Sequence, residues 1–216
     1  MSKLKVNAKG VGLQKFFSLA ALIILILVFS VLGQNFFSKE TFINILDSSY
    51  YIGFMAIGVT FVIITGGIDL SIGTVMMCAT LIGGLAHNSW GWPIGLCLIL
   101  IVVIATLFGL VNGVLIAKLK LPPFIATLGT MLVSQGLGAI IAKVQTQRFP
   151  TAYEEAGWFK SVFFKTPSGF PTGIIFLIAF FILAYIILRK TRIGRYTFAI
   201  GSNKEAVRLS GVRVDR

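Results

Sequence analysis

Apolar runs, most of them close to the length that spans a bilayer, alternate along this chain with short polar or glycine-rich breaks. Six stand out: Phe16–Leu32, Phe42–Ile64, Ser71–Ala86, Ile94–Ala117, Phe124–Ala142 and Thr172–Leu188. Crossing the hydrocarbon takes roughly 20 apolar residues per helix, so the pattern predicts an all-α, polytopic helical membrane protein with about six membrane segments. The third run is short for a full span and carries Gly73, Ala79, Gly83 and Gly84, which fits a helix that is tilted, broken or shielded by neighbours. Ser38 is placed to cap the second helix, and Asp69 or Ser71 the third, each accepting from otherwise unpaired backbone N–H groups. Pro122 and Pro123 suit the opening of the fifth, where a missing N–H does no harm. Residues 144–170 read as a polar loop with Pro150, Gly157, Pro167 and Gly169, and nothing in them calls for a separate domain.

The break between the second and third runs is the most informative local feature. From Thr41 to Ala117 the chain has no lysine or arginine and only two carboxylates, Asp47 and Asp69. Asp69 lies in the stretch that holds Gly66, Gly67 and Ser71. An ionisable group at a glycine break is costly in hydrocarbon unless protein or water covers it, so the pattern predicts a broken helix near residues 65–73. Capping by Asp69 explains the carboxylate without an ion. In the fourth run Gly109 and Gly113 form a GxxxG pair, expected to serve packing within the chain rather than a dimer seam, with Asn112 as an interhelical hydrogen-bonding residue.

Charge then sets the orientation. The chain carries 19 lysines and arginines against 7 carboxylates, 56% hydrophobic residues and a mean hydropathy of +0.93. The basic residues flank the apolar runs, which suits loops held at an anionic lipid face and argues against nucleic acid as a partner. An N-terminus inside and a C-terminus inside put fourteen of the nineteen on the cytoplasmic side. Those fourteen include Lys3, Lys5, Lys118, Lys120, Arg189, Arg195, Lys204, Arg213 and Arg216. The outer side keeps Lys39, Lys143, Arg148, Lys160 and Lys165. The polarity expected is N-in, C-in.

Enzyme chemistry finds little material. The single histidine, His87, ends the third run without a second metal ligand nearby, and Cys78 and Cys97 sit in apolar runs without a histidine base. Asp47 and Asp69 lie far apart in membrane depth, and the chain has no G-x-x-x-x-G-K-[ST] phosphate loop. No catalytic residue, metal or cofactor is expected.

Three stretches carry more than periodicity. Gly58-Val59-Thr60-Phe61-Val62-Ile63-Ile64-Thr65-Gly66-Gly67-Ile68-Asp69-Leu70-Ser71-Ile72-Gly73 resembles the second-to-third helix junction of permease subunits in monosaccharide ABC importers of the ribose/galactoside type. Pro123–Met131 is similar to that family's fifth-helix entry, and Thr191–Gly211 to its large cytoplasmic loop. The resemblance implies a subunit of the bacterial inner membrane that forms the pathway for a monosaccharide. It implies a separate nucleotide-binding ATPase subunit, an extracytoplasmic sugar-binding protein and a second permease copy or paralogue as partners. It also implies that residues 1–216 form a single permease domain, the amino-terminal part of a longer one.

Within it, residues 203–211 correspond to a cytoplasmic coupling helix that docks in a groove of the ATPase subunit. The family pattern is Glu-Ala-Ala, three residues, then Gly; Glu205, Ala206 and Gly211 match, and Val207 replaces the second alanine. The residues themselves agree, with Asn203 as cap, Glu205 in the first turn and Arg208 late. For the pathway the candidates are Thr60, Phe61, Thr65 and Asn112. The alternative function is an autonomous channel or ion-coupled secondary carrier, with Asp69 binding a proton or cation.

Overall fold

The computed structural model describes residues 8–33, 35–151, 154–164, 169, 171–212 and 214. Lys3, Lys5, Lys165, Arg213 and Arg216 of the charge pattern, and Pro167 of the long loop, lie outside them. Among the described residues every regular element is a helix: α1 (Ala8–Leu32), α2 (Lys39–Ile64), α3 (Ile72–Asn88), α4 (Ile94–Ala117), α5 (Pro123–Ile141), α6 (Trp158–Phe163), α7 (Gly173–Lys190), α8 (Arg192–Ser202) and α9 (Lys204–Leu209). Helices α2, α4, α5 and α7 are long and apolar enough to cross a membrane, while α3 and the Phe16–Leu32 part of α1 are shorter apolar helices. The described residues are all-α, with four clear and two shorter apolar helices, which fits a polytopic membrane protein.

The chain divides into two compact units, Met1–Leu46 and Asp47–Arg216, with the boundary inside α2. In the first, the turn after α1 is closed by Ser38 N–H donating to the Asn35 carbonyl at 2.9 Å. The Ser38 hydroxyl then accepts from Thr41 N–H at 3.1 Å, taking up one of the orphan donors that open α2.

In the second unit the most densely packed helices are α3, α4 and α5, and their contact depends on small residues. Ala126, Thr130, Ser134 and Gly138 recur every fourth position on α5 and are all buried. Spacing of four keeps them on one face. The face lies against α3, where Cys78, Ala79, Gly83, Gly84 and Ala86 are buried. At the closest point a Cβ on Gly138 would stand 3.1 Å from the Cys78 Cα. Backbones approach this closely in lipid only where side chains are small. The glycine pair of α4 behaves otherwise: Gly109 and Gly113 are exposed, and a Cβ on either would meet none of the described residues within 4 Å. The expectation that they pack within the chain is therefore corrected, because α4 turns Cys97 and Asn112 inward instead.

Residues 144–170 are also more than a plain loop. A 3-10 turn at Glu155–Gly157 leads into α6. There Phe159 is buried in a cluster with Ala86, Ile94 and Cys97. A helix of 6 residues is too short for periodicity to reveal; burial of one aromatic ring holds it. On the other side of α2, Tyr50 packs against Gly173 and Gly53 against Leu177, and the Phe54 and Phe180 rings lie 5.4 Å apart. These contacts join α2 to α7.

Candidate functional site

Helix α2 ends as its glycines dictate. Gly66 adopts φ +76°, in the left-handed region, and its N–H donates to the Ile63 carbonyl at 3.0 Å. Gly67 N–H donates to the Val62 carbonyl, also at 3.0 Å. This pair of bonds is a Schellman ending, which stops the helix and uses two of its orphan carbonyls. Residues 65–71 then run without helix to α3.

Inside that segment Asp69 Oδ1 accepts two bonds from Ser71, one from its N–H at 2.8 Å and one from its hydroxyl at 2.7 Å. Of the donors between Leu70 and Gly73, those on Ser71 are the ones bonded to it in this way. Ser71 is the residue that precedes α3, yet its hydroxyl makes no cap bond, because Asp69 and Asn112 engage it. Asn112 Nδ2 donates to the Ser71 hydroxyl at 2.9 Å, and the Thr130 hydroxyl donates to Asn112 Oδ1 at 2.5 Å. Thr130, Asn112, Ser71 and Asp69 thus form a hydrogen-bonded relay that ends on the carboxylate, with the Ala126 carbonyl, at 3.0 Å, a second acceptor for the one Thr130 proton. It ties α5 and α4 to the non-helical segment. A second tie, the Ser134 hydroxyl donating to the Thr74 hydroxyl at 2.8 Å, joins α5 to α3. Ser71, Asn112, Thr130 and Ser134 are all buried. Polar groups in an apolar bundle stay only when satisfied, and here they satisfy each other.

The relay borders a cavity of about 250 Å³ lined by Asp69, Ser71, Asn112 and Gly109 on its polar and small-residue side, with Met55 and Met76 among the apolar remainder. Gly109, lacking a side chain, leaves that volume open. Of the four residues singled out as pathway candidates, Asn112 lines the cavity. Thr60 and Thr65 are exposed and donate to carbonyls of their own helix end, Ala56 at 2.7 Å and Val62 at 2.8 Å. Neither they nor Phe61 lines the cavity. Sequence reading missed Thr130 and Ser134, although their four-residue spacing with Ala126 and Gly138 is the readable signal. His87 lies near the far end of α3, its Nδ1 3.0 Å from the Trp92 carbonyl.

The polar carboxy-terminal segment has its own geometry. Thr191 caps α8, accepting from Gly194 N–H at 3.3 Å, and the Arg189 guanidinium lies 5.6 Å from the Phe198 ring. Asn203 ends α8 and caps α9, accepting from Ala206 N–H at 3.0 Å. Glu205 stands in the first turn and Arg208 in the last; Gly211 follows at φ +84°. Val207 is buried against its own chain, whereas Ala206 is exposed and Leu209 is 88% exposed. The β-branched departure at position 207 therefore faces inward. At the end of α8, a Cβ on Gly201 would fall on the carbonyl oxygen of Ile64. The last residues of α2, just before the Gly66 turn, thus touch the segment that leads into α9.

Comparison with known proteins decides the family. The model for the permease component of branched-chain amino acid transport systems matches residues 41–216. The chain belongs to that family. It is 39% identical over 204 residues to the ribose import permease protein of Haemophilus influenzae, covering 92% of this chain and 61% of that one. To the ribose import permease protein of Bacillus subtilis it is 35% identical over 218 residues, covering 98% and 64%. To the fructose import permease protein of Rhizobium meliloti it is 34% identical over 202 residues, covering 92% and 56%. No solved structure matches the chain. The chain spans about three-fifths of the length of the ribose permease of Haemophilus influenzae. Family membership and the apolar helices together make it a multi-pass protein of the cell membrane, and proteins of this family are transport subunits rather than enzymes.

The relay yields a specific expectation at Asp69. Asp69→Asn keeps an oxygen for the Ser71 N–H and hydroxyl, so thermal unfolding of the purified protein in detergent should barely move. Asp69→Leu strands both donors, at about 1–3 kcal/mol each, for a loss of about 2–6 kcal/mol. Equal damage from both variants would show that the charge, not the acceptor geometry, matters.

Proposed function

We propose that this chain is part of the permease subunit of an ATP-driven importer for a neutral monosaccharide, ribose or fructose being the first candidates. One observation carries the reading: a cavity bordered by the mutually bonded Asp69, Ser71 and Asn112 amid apolar helices, with Thr130 holding Asn112 from behind. A neutral sugar needs hydrogen-bonding groups and apolar faces rather than net charge. The names of the sugar-import relatives add the substrate class. In this reading residues 1–216 belong to one permease domain, oriented N-in and C-in, with the segment at residues 65–71 toward the cytoplasm. Asn203–Gly211 is the docking element for a separate nucleotide-binding ATPase subunit. An extracytoplasmic sugar-binding protein delivers the substrate, and a second permease copy or paralogue completes the pathway. The double engagement of Asp69 by Ser71 favours a structural carboxylate over the proton or cation site of a secondary carrier.

Uptake of radiolabelled ribose and fructose into proteoliposomes holding the permease with its ATPase and binding protein tests the function. ATP-dependent accumulation of either sugar is expected; accumulation driven by an ion gradient without ATP would replace the importer with a carrier. For orientation, single cysteines at Lys160 and Lys204 should be labelled by an impermeant maleimide from outside and from inside, respectively. The reverse pattern would invert the topology.

A further inference from the structure

A second cavity, about 320 Å³, opens beside the first and is lined by aromatic rings. Tyr50, Tyr51 and Phe54 of α2 face Phe163, Phe164 and Phe176 across it. Two further residues, Met55 and Met76, line this cavity and also the polar one at Asp69 and Asn112. From α2 the aromatic cavity takes Tyr50, Tyr51, Phe54 and Met55, whereas the polar one takes Met55, its other walls coming from α3, α4 and the segment before α3. We propose that the aromatic cavity and the polar cavity are successive stations of one sugar route, and that the Met55 and Met76 side chains form the partition between them.

Two features support this assignment. First, the chemistry of the two chambers divides as a sugar requires: flat aromatic faces for its C–H surfaces in one, hydrogen-bonding side chains for its hydroxyls in the other. Second, methionine suits a partition that must yield. Its unbranched thioether has three rotatable bonds and adopts alternative packings at low cost. Each chamber lies near or just below the lower end of the roughly 300–1,000 Å³ range of small-molecule sites, which fits a single monosaccharide better than a larger ligand.

The proposal rests on the importer reading, and its test separates the two. In a parent with Cys78→Ala and Cys97→Ala, Met55→Cys and Met76→Cys are introduced together and tethered by a short bifunctional methanethiosulfonate in the assembled transporter. ATP-dependent uptake of radiolabelled ribose and fructose is then measured before tethering, after tethering and after reduction. Uptake should fall at least tenfold on tethering and return on reduction; recovery excludes misfolding. Uptake by the tethered pair at the parent's rate would overturn the partition and leave the importer intact. A parent that moves neither sugar would overturn the importer and the partition with it.

Discussion

Gly201→Val is expected to reduce ATP-dependent sugar uptake tenfold or more while the α3–α5 core stays folded. Any Cβ at position 201 falls on the carbonyl oxygen of Ile64, and the Ile64 carbonyl carbon and Thr65 Cα stand close behind it. Backbone atoms cannot rotate aside as a flexible side chain would. The last turn of α2 is also held in place by the Schellman bonds of Gly66 and Gly67. The strain must therefore lift α8 off the end of α2, at a cost of about 1–3 kcal/mol or more. Helix α9 keeps its Asn203 cap in this variant, so capture of the ATPase subunit should persist. The expected phenotype is a complex that assembles and hydrolyses ATP without accumulating sugar. Gly201→Ala should show the same loss in milder form. Normal uptake by Gly201→Val would mean that the contact between α8 and the end of α2 transmits nothing.

Ala206→Glu is expected to abolish capture of the ATPase subunit without altering the unfolding temperature of the permease itself. Ala206 and Leu209 are exposed three residues apart on α9, hence neighbours on one helical face, while Val207 is turned into the protein. Of the exposed residues of α9 these two are the apolar ones, suited to a packed contact in the docking proposed above. A charge placed in a closely packed contact without a counterion costs about 2–5 kcal/mol, which weakens binding about 30-fold at the least. Leu209→Ala should weaken it as well, because a fully buried leucine is worth about 1.5–3 kcal/mol. Val207→Ala supplies the contrast: it should lower the unfolding temperature and spare capture. Co-purification with the ATPase subunit and sugar-stimulated ATP hydrolysis give the readout. Full capture and coupling by Ala206→Glu would remove Asn203–Gly211 as the docking element.

Apolar length and local backbone chemistry suffice to place the helix ends. The hydrocarbon fixes a span at about 20 residues, so apolar length alone located the six apolar helices, with ends within a few residues of those observed apart from the longer amino-terminal end of α1. Local backbone chemistry fixed several boundaries: Ser38 and Asn203 as caps, Pro122 and Pro123 at the entry to α5, and glycine at Gly66, where the chain turns left-handed. The polar α9 could be read for the same reason, since caps and charges act over one turn. Which helix faces meet is a matter of packing between distant parts of the chain. A lipid-embedded helix is apolar all round, so hydrophobicity does not separate the side facing lipid from the side facing protein. Gly109 and Gly113 looked like the packing face, yet α5 supplies it through Ala126, Thr130, Ser134 and Gly138. The relay from Thr130 to Asp69, the inward turn of Val207, the approach of Gly201 to Ile64 and the two cavities meeting at Met55 and Met76 all join residues far apart in the chain. Such contacts are set by how helices cross, and helix crossing depends on small differences in side-chain volume that periodicity does not record.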